Sequence, residues 1–222
     1  MPNLNFDSVK IRHPSTMMII GSTSSGKSYF TREYIQYYTD HTDFEKSKVK
    51  CMWCYGVEES LVPIDGVEMA FHHGIPSEET ISDTNPDIVV FDDLAREIAS
   101  AKTVSDFFTR LSHHLKITFI FILQHAFLKG LNFISANCHI FVFLKSPRTF
   151  QQLDYFIRQT PLSREHVKNS YIKATKEPFS YLLIDLTPSS QDHLRVRSRI
   201  LKSELPQNLS LQFNSLPIFW TW

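Results

Sequence analysis

Between Ile20 and Tyr29 the chain reads Gly21-Ser22-Thr23-Ser24-Ser25-Gly26-Lys27-Ser28, and this run restricts the fold more than any other segment. Only six glycines occur in 222 residues, less than half of the roughly 7% average, and two of them fall inside it. The residues before it, 16–20, are apolar and of strand length. Those after it, 29–38, place Phe30, Tyr34, Ile35 and Tyr38 on one helical face. A strand, then Gly-x-x-x-x-Gly-Lys-Ser, then a helix is the arrangement that cradles phosphate. The glycines permit a tight backbone path and close approach of the anion. Backbone amides of the loop and of the helix start point at it. The ammonium of Lys27 reaches the outer phosphates, and the Ser28 hydroxyl ligates Mg²⁺. A Gly/Ser connection joining strand to helix by chance is the competing reading, and the flanking elements count against it.

The rest of the chain alternates apolar strands with helices. Strands are expected at 49–55, 88–91, 116–123, 139–144, 181–186 and 194–201, with a short one at 67–71. Helices are expected at 103–115, 150–158 and 165–174, and 76–86 reads as an acidic, Pro-containing loop. Several strands are apolar on both faces, which predicts an α/β fold with a mainly parallel central sheet and helices on both sides. At 42% hydrophobic and 21% charged the chain has ordinary globular composition, so disorder is excluded over most of it. One domain over residues 1–204 is expected, followed by an aromatic tail, 205–222, whose Leu, Phe, Ile and Trp residues either pack on the domain or dock on a neighbour. Three cysteines make no disulfide framework.

No segment approaches the roughly 18–20 apolar residues of a membrane span. The first residues, Met1-Pro2-Asn3-Leu4-Asn5-Phe6-Asp7, lack a basic stretch followed by an apolar core. An intracellular, unsecreted protein is therefore expected. The net charge is zero, which excludes a wholly basic nucleic-acid binder. It hides a split, however: residues 1–111 carry 10 basic and 17 acidic side chains, and residues 112–222 carry 13 and 6. Such a split either marks a polyanion-facing side or vanishes as the two halves interleave.

Asp92-Asp93 closes the apolar run 88–91. Parallel strands present their C-terminal ends to the ligand crevice, so Asp92 is the candidate Mg²⁺ ligand and Asp93 the candidate base for an attacking water. The two carboxylates would also suit a helix start. Gln124 ends another apolar strand, where it either orients water and senses the terminal phosphate or is a surface residue. Neither an Asn-Lys-x-Asp base reader of GTPases nor the Leu-Ser-Gly-Gly segment of transporter ATPases occurs; a small-molecule kinase stays open. Two strand-like segments between the phosphate loop and Asp92 fit ATPases with an additional strand better. Cys51 and Cys54, three apart on a strand, face opposite sides and read as core. His72-His73 and His113-His114 lack the spacing of a metal motif. Arg195, Arg197 and Arg199 recur at period two, as a stripe tracking nucleic-acid phosphate or as a charged edge strand.

Taken together, residues 17–30, 87–94, 109–124, 137–148 and 180–186 resemble the poxvirus-type genome-packaging ATPases, a branch of the FtsK–HerA class. The His113-His114 strand ending at Gln124 and the run Lys145-Ser146-Pro147-Arg148 carry that resemblance more specifically than the phosphate loop does. Leu111 stands where relatives often have glycine, and His125 where they often have Asn. The resemblance implies an ATP- and Mg²⁺-dependent motor, acting as a homo-oligomeric ring, that moves double-stranded DNA into a preformed capsid. Capsid or portal-like vertex components would be its partners, and sites of virion assembly in the host cytoplasm or nucleus its location. It implies Lys27 and Ser28 at the nucleotide, Asp92 and Asp93 at metal and water, and Gln124 as sensor. An arginine acts in trans in this class; Arg110 is the first choice and Arg148 the second.

Overall fold

The computed structural model describes residues 10–56, 61–100, 116–126 and 131–204. Its centre is an eight-stranded sheet: β1 (Thr16–Ile20), β2 (Val49–Tyr55), β3 (Val67–His73), β4 (Ile88–Asp92), β5 (Thr118–Leu123), β6 (Ile140–Leu144), β7 (Tyr181–Asp185) and β8 (Val196–Arg197), in the spatial order β3-β2-β4-β5-β1-β6-β7-β8. From β3 to β6 every pairing is parallel, whereas β7 and β8 join antiparallel at one edge. The strand that ends in Asp92 does not touch β1; β5 lies between them, which is the additional strand.

Parallel strands must be covered on both faces, and β1, β4, β5 and β6 are accordingly apolar apart from Thr16, Thr118 and the terminal Asp92. Alternate residues divide between two cores. Met18 and Ile20 of β1, Phe119, Phe121 and Leu123 of β5, and Phe141 and Phe143 of β6 face one side. There they meet α3 (Glu78–Thr84), α4 (Ala95–Ser100), α5 (Asn132–Ala136), α6 (Pro147–Ile157) and α7 (Arg164–Ala174) through Ile81, Ile98, Ile134, Phe156 and Tyr171. Met17 and Ile19, with Ile120, Ile122 and Val142, face the other side. That side is covered by α1 (Lys27–Gln36) and the single turn α2 (Tyr38–His41), through Phe30, Tyr34, Ile35 and Tyr38. All four aromatic and apolar positions expected on one helical face are buried. Burying one such side chain stabilises by about 1.5–3 kcal/mol.

Cys51 and Cys54 are buried in opposite cores, as strand alternation requires. Burial raises both thiols above their ordinary range, Cys54 to about 12, so these side chains are packing groups.

Three expectations are corrected. Residues 78–84 form a helix, capped by the Ser77 hydroxyl accepting from Thr80 N–H, where an irregular loop was expected. The segment 194–201 is not one strand: Asp192–Leu194 is a 3-10 turn, only Val196–Arg197 pairs, and Arg199 has φ +54°. The arginines consequently share no open face. Arg197 is buried against Asp185, Nη2 to Oδ2 2.6 Å, and Arg195 bonds Asp192 and the Asp185 and Thr187 carbonyls. A DNA-tracking stripe is thereby ruled out. The helix expected at 103–115, with Arg110 and His113-His114, and the tail 205–222 lie outside the described residues. No described helix is long and apolar enough to cross a membrane.

Candidate active site

The loop between β1 and α1 is built to leave amides open. Gly21 N–H donates to Leu123 O at 3.2 Å, fixing the loop entrance to the end of β5. A Cβ at Gly21 would lie 2.3 Å from Ser25 Oγ and 3.1 Å from Leu144 Cβ, so glycine lets the loop fold back on itself with Ser25 in its present rotamer. Ser24 and Gly26 both have positive φ, +60° and +97°; such alternation turns successive N–H groups inward as an anion nest. Helices α3, α6 and α7 each begin with a serine whose hydroxyl accepts an amide. Helix α1 begins at Gly26 with no side-chain cap and no acidic residue in its first turn. Its first paired donor is Phe30 N–H, on Gly26 O, so the amides of Lys27, Ser28 and Tyr29 remain for an anion.

Opposite the loop stand the ends of β4 and β5. Thr23, Ser24, Lys27, Ser28, Asp92, Asp93 and Gln124 line one cleft of about 600 Å³, together with Arg32, Trp53, Tyr55 and Phe71. Gly21, Ser22, Ser25 and Gly26 form the loop backbone behind it. Lys27 is half-buried and donates from Nζ to Ser22 O at 2.9 Å. Desolvation lowers its pKa, while Asp92 and Asp93 across the cleft act in the opposite direction. A cation is thus held between carboxylates and the loop.

Asp93 takes φ +54°, a left-handed conformation that turns the chain sharply after β4 and sets both carboxylates on the cleft. The helix that follows starts at Ala95, so the pair does not directly precede it. Gly56 makes room for this turn: it donates to Asp92 O, and a Cβ there would lie 2.8 Å from Asp93 O. The Asp92 carboxylate and Ser28 hydroxyl are hard oxygen donors on the same cleft as Lys27, and they fit Mg²⁺. Among the described residues no group of three His, Cys, Asp or Glu converges, so such an ion would complete its shell with phosphate oxygens and water. His72 and His73, on β3, belong to no such group.

Two contributors were not found from the sequence. Gln152, on α6, donates from Nε2 to Gln124 O at 2.9 Å and accepts at Oε1 from Ala126 N–H at 2.9 Å. It clamps the backbone that carries Gln124. Arg32, on α1, donates to the carbonyls of Val62 and Pro63, tying that segment along the cleft. Neither residue sits in a motif; only the tertiary structure brings them there. Arg148 is exposed in the first turn of α6 and is not among the residues lining this cleft.

A phosphate loop on a mainly parallel α/β sheet, with carboxylates and an amide at neighbouring strand ends, defines the phosphate-loop NTPase fold. Two solved structures of the genome packaging NTPase B204 from Sulfolobus turreted icosahedral virus 2 share it. In complex with AMPPCP that protein matches with 10% identity over 83% of this chain and 96% of that chain, TM-score 0.52. In complex with ATP-gammaS it matches with 12% identity over the same shares, TM-score 0.53. At such identities the likeness is one of fold. No protein-family profile and no curated protein matches the chain.

Proposed function

We propose that this chain is an Mg²⁺-dependent ATPase that works as a homo-oligomeric ring and drives double-stranded DNA into a preformed viral capsid, in the manner of the poxvirus-type branch of the FtsK–HerA class. One observation carries the catalytic half of this reading: Lys27, Ser28, Asp92, Asp93 and Gln124, from three strand ends, meet on one cleft. Those are the parts that phosphoryl transfer to water requires, since its catalysis is mainly positioning and charge stabilisation. Lys27 and the loop amides would hold the outer phosphates. Ser28 and Asp92 would hold Mg²⁺, which supplies charge neutralisation at the phosphates. Asp93 would accept the proton of the attacking water, oriented by Gln124. The packaging half is supported by the sequence resemblance and by the shared fold of B204, a genome packaging NTPase.

ATP hydrolysis measured with and without double-stranded DNA, alongside mass in solution, tests the whole reading. DNA-stimulated turnover by a ring is the expected result. Asp93→Asn should keep Mg·ATP binding and lose about 100-fold or more in rate, the usual worth of a positioned general base. Turnover that depends on a small phosphate acceptor would make the protein a kinase. Binding without turnover would make it an assembly scaffold.

A further inference from the structure

The phosphate loop has a second side. Away from Asp92 and Gln124, the start of α1 and the segment 176–181 leading into β7 enclose another cavity of about 380 Å³, within the size range of small-molecule sites. Two rings stand at it, Tyr29 and Phe179, each 63% exposed. Singly exposed apolar side chains are ordinary, but here two rings are open at one cavity. Phe30 and Tyr181, both buried, also line it and meet edge to face with centroids 4.6 Å apart.

Phe179 is in contact with the loop itself. A Cβ at Gly26 would lie 3.2 Å from Phe179 Cδ1, so the ring packs closely over this glycine, whose φ of +97° already disfavours a side chain. The φ of Phe179 itself is +63°, a conformation that a bulky residue seldom adopts; the backbone accepts that cost while holding the ring against the loop. The open amides run from Lys27 through Ser28 to Tyr29. An anion chain with one end at Lys27 and the Asp92 cleft therefore leaves the loop beside Tyr29, where the aromatic cavity begins.

We infer that the Tyr29–Phe179 cavity receives the nucleobase of the nucleotide whose phosphates lie in the loop. This rests on the proposed reading of the loop as a nucleotide site. The contact is stacking on flat apolar rings, and every base has such a face, so the cavity should accept ATP and GTP with similar affinity.

Calorimetric titration with Mg·ATP and with inorganic triphosphate plus Mg²⁺ tests this, using the wild-type chain, Phe179→Ala, Tyr29→Ala and Phe179→Trp. Both alanine variants remove exposed rings, so folding should be preserved. The expected result is ATP binding weakened about tenfold or more in each alanine variant, restored by Phe179→Trp, with triphosphate affinity unchanged. Unchanged ATP affinity in both alanine variants would overturn the inference. An equal loss for ATP and triphosphate would also overturn it, because Phe179 would then be shaping the loop and not meeting a base. Wild-type protein that binds neither ligand would instead sink the nucleotide-site reading itself.

Discussion

His41 stacks on Tyr34, centroids 5.6 Å apart and planes 7° from parallel, and its Nε2 is buried with no hydrogen-bond partner among the described residues. Burial drives its pKa down to about 4, against the pull of Asp40 and Glu33 and with some help from Lys202. A histidine near 6.5 when unfolded and near 4 when folded binds its proton in the unfolded chain first. Stability is therefore full above about pH 6.5 and falls as pH drops towards 4. Between pH 7 and pH 5 this one side chain should remove about 2 kcal/mol. His41→Phe keeps the stack on Tyr34 and should flatten that stretch of the stability curve, as read by urea denaturation at each pH. An unchanged slope would place the proton elsewhere.

At the scale of elements, β5 and α6 meet through Gln152. Both ends of its amide are used on the main chain of Gln124 and Ala126, so the turn after β5 is held at two points. Gln152→Ala should free Gln124 without unfolding α6, whose core contacts are Leu153, Phe156 and Ile157. We expect kcat for ATP to fall about tenfold, the KM to change little and the thermal midpoint to move only slightly. Gln152→Glu retains one of the two bonds and should fall between. A proportional loss of stability and activity would make Gln152 structural only. No local pattern reveals such a partner, because it joins positions far apart in the chain. The parallel strands were legible for the opposite reason. β1, β4, β5 and β6 are buried on both faces, and continuous apolarity is the local trace of that burial. The phosphate loop was legible because its backbone path needs glycine at fixed places. Residues 194–201 misled because their arginine alternation imitates a strand, whereas the non-local pairing of Arg197 with Asp185 decides their path. The helix 78–84 did have a local signal, Ser77 with Glu78 and Glu79 in the first turn, which the neighbouring proline and acidic residues outweighed.

For the whole molecule the open question is what completes the cleft. Within one chain its described cations are Lys27, held against the loop, and Arg32, which is engaged with the Val62 and Pro63 carbonyls. An arginine reaching the transferring phosphate from elsewhere is worth roughly 10³–10⁵ in rate in GTPases. In a ring the neighbour can supply it. Arg148 is a candidate with known placement: exposed at the first turn of α6, on the helix that carries Gln152, and outside its own chain's cleft. Arg110 is the other, proposed from its place before the strand that leads to Gln124. Mixing subunits decides between them. Lys27→Ala subunits keep the arginine and lose the pocket; Arg110→Ala or Arg148→Ala subunits keep the pocket and lose one arginine. If one of these arginines acts in trans, its variant alone should bind ATP normally and hydrolyse it at under about 1% of the wild-type rate. Rings mixed with Lys27→Ala subunits should then recover turnover at each junction that pairs an intact pocket with an intact arginine. A variant that is inactive alone and gains nothing on mixing assigns its arginine to its own subunit. A variant with normal turnover in a ring of confirmed mass removes its arginine from the reaction.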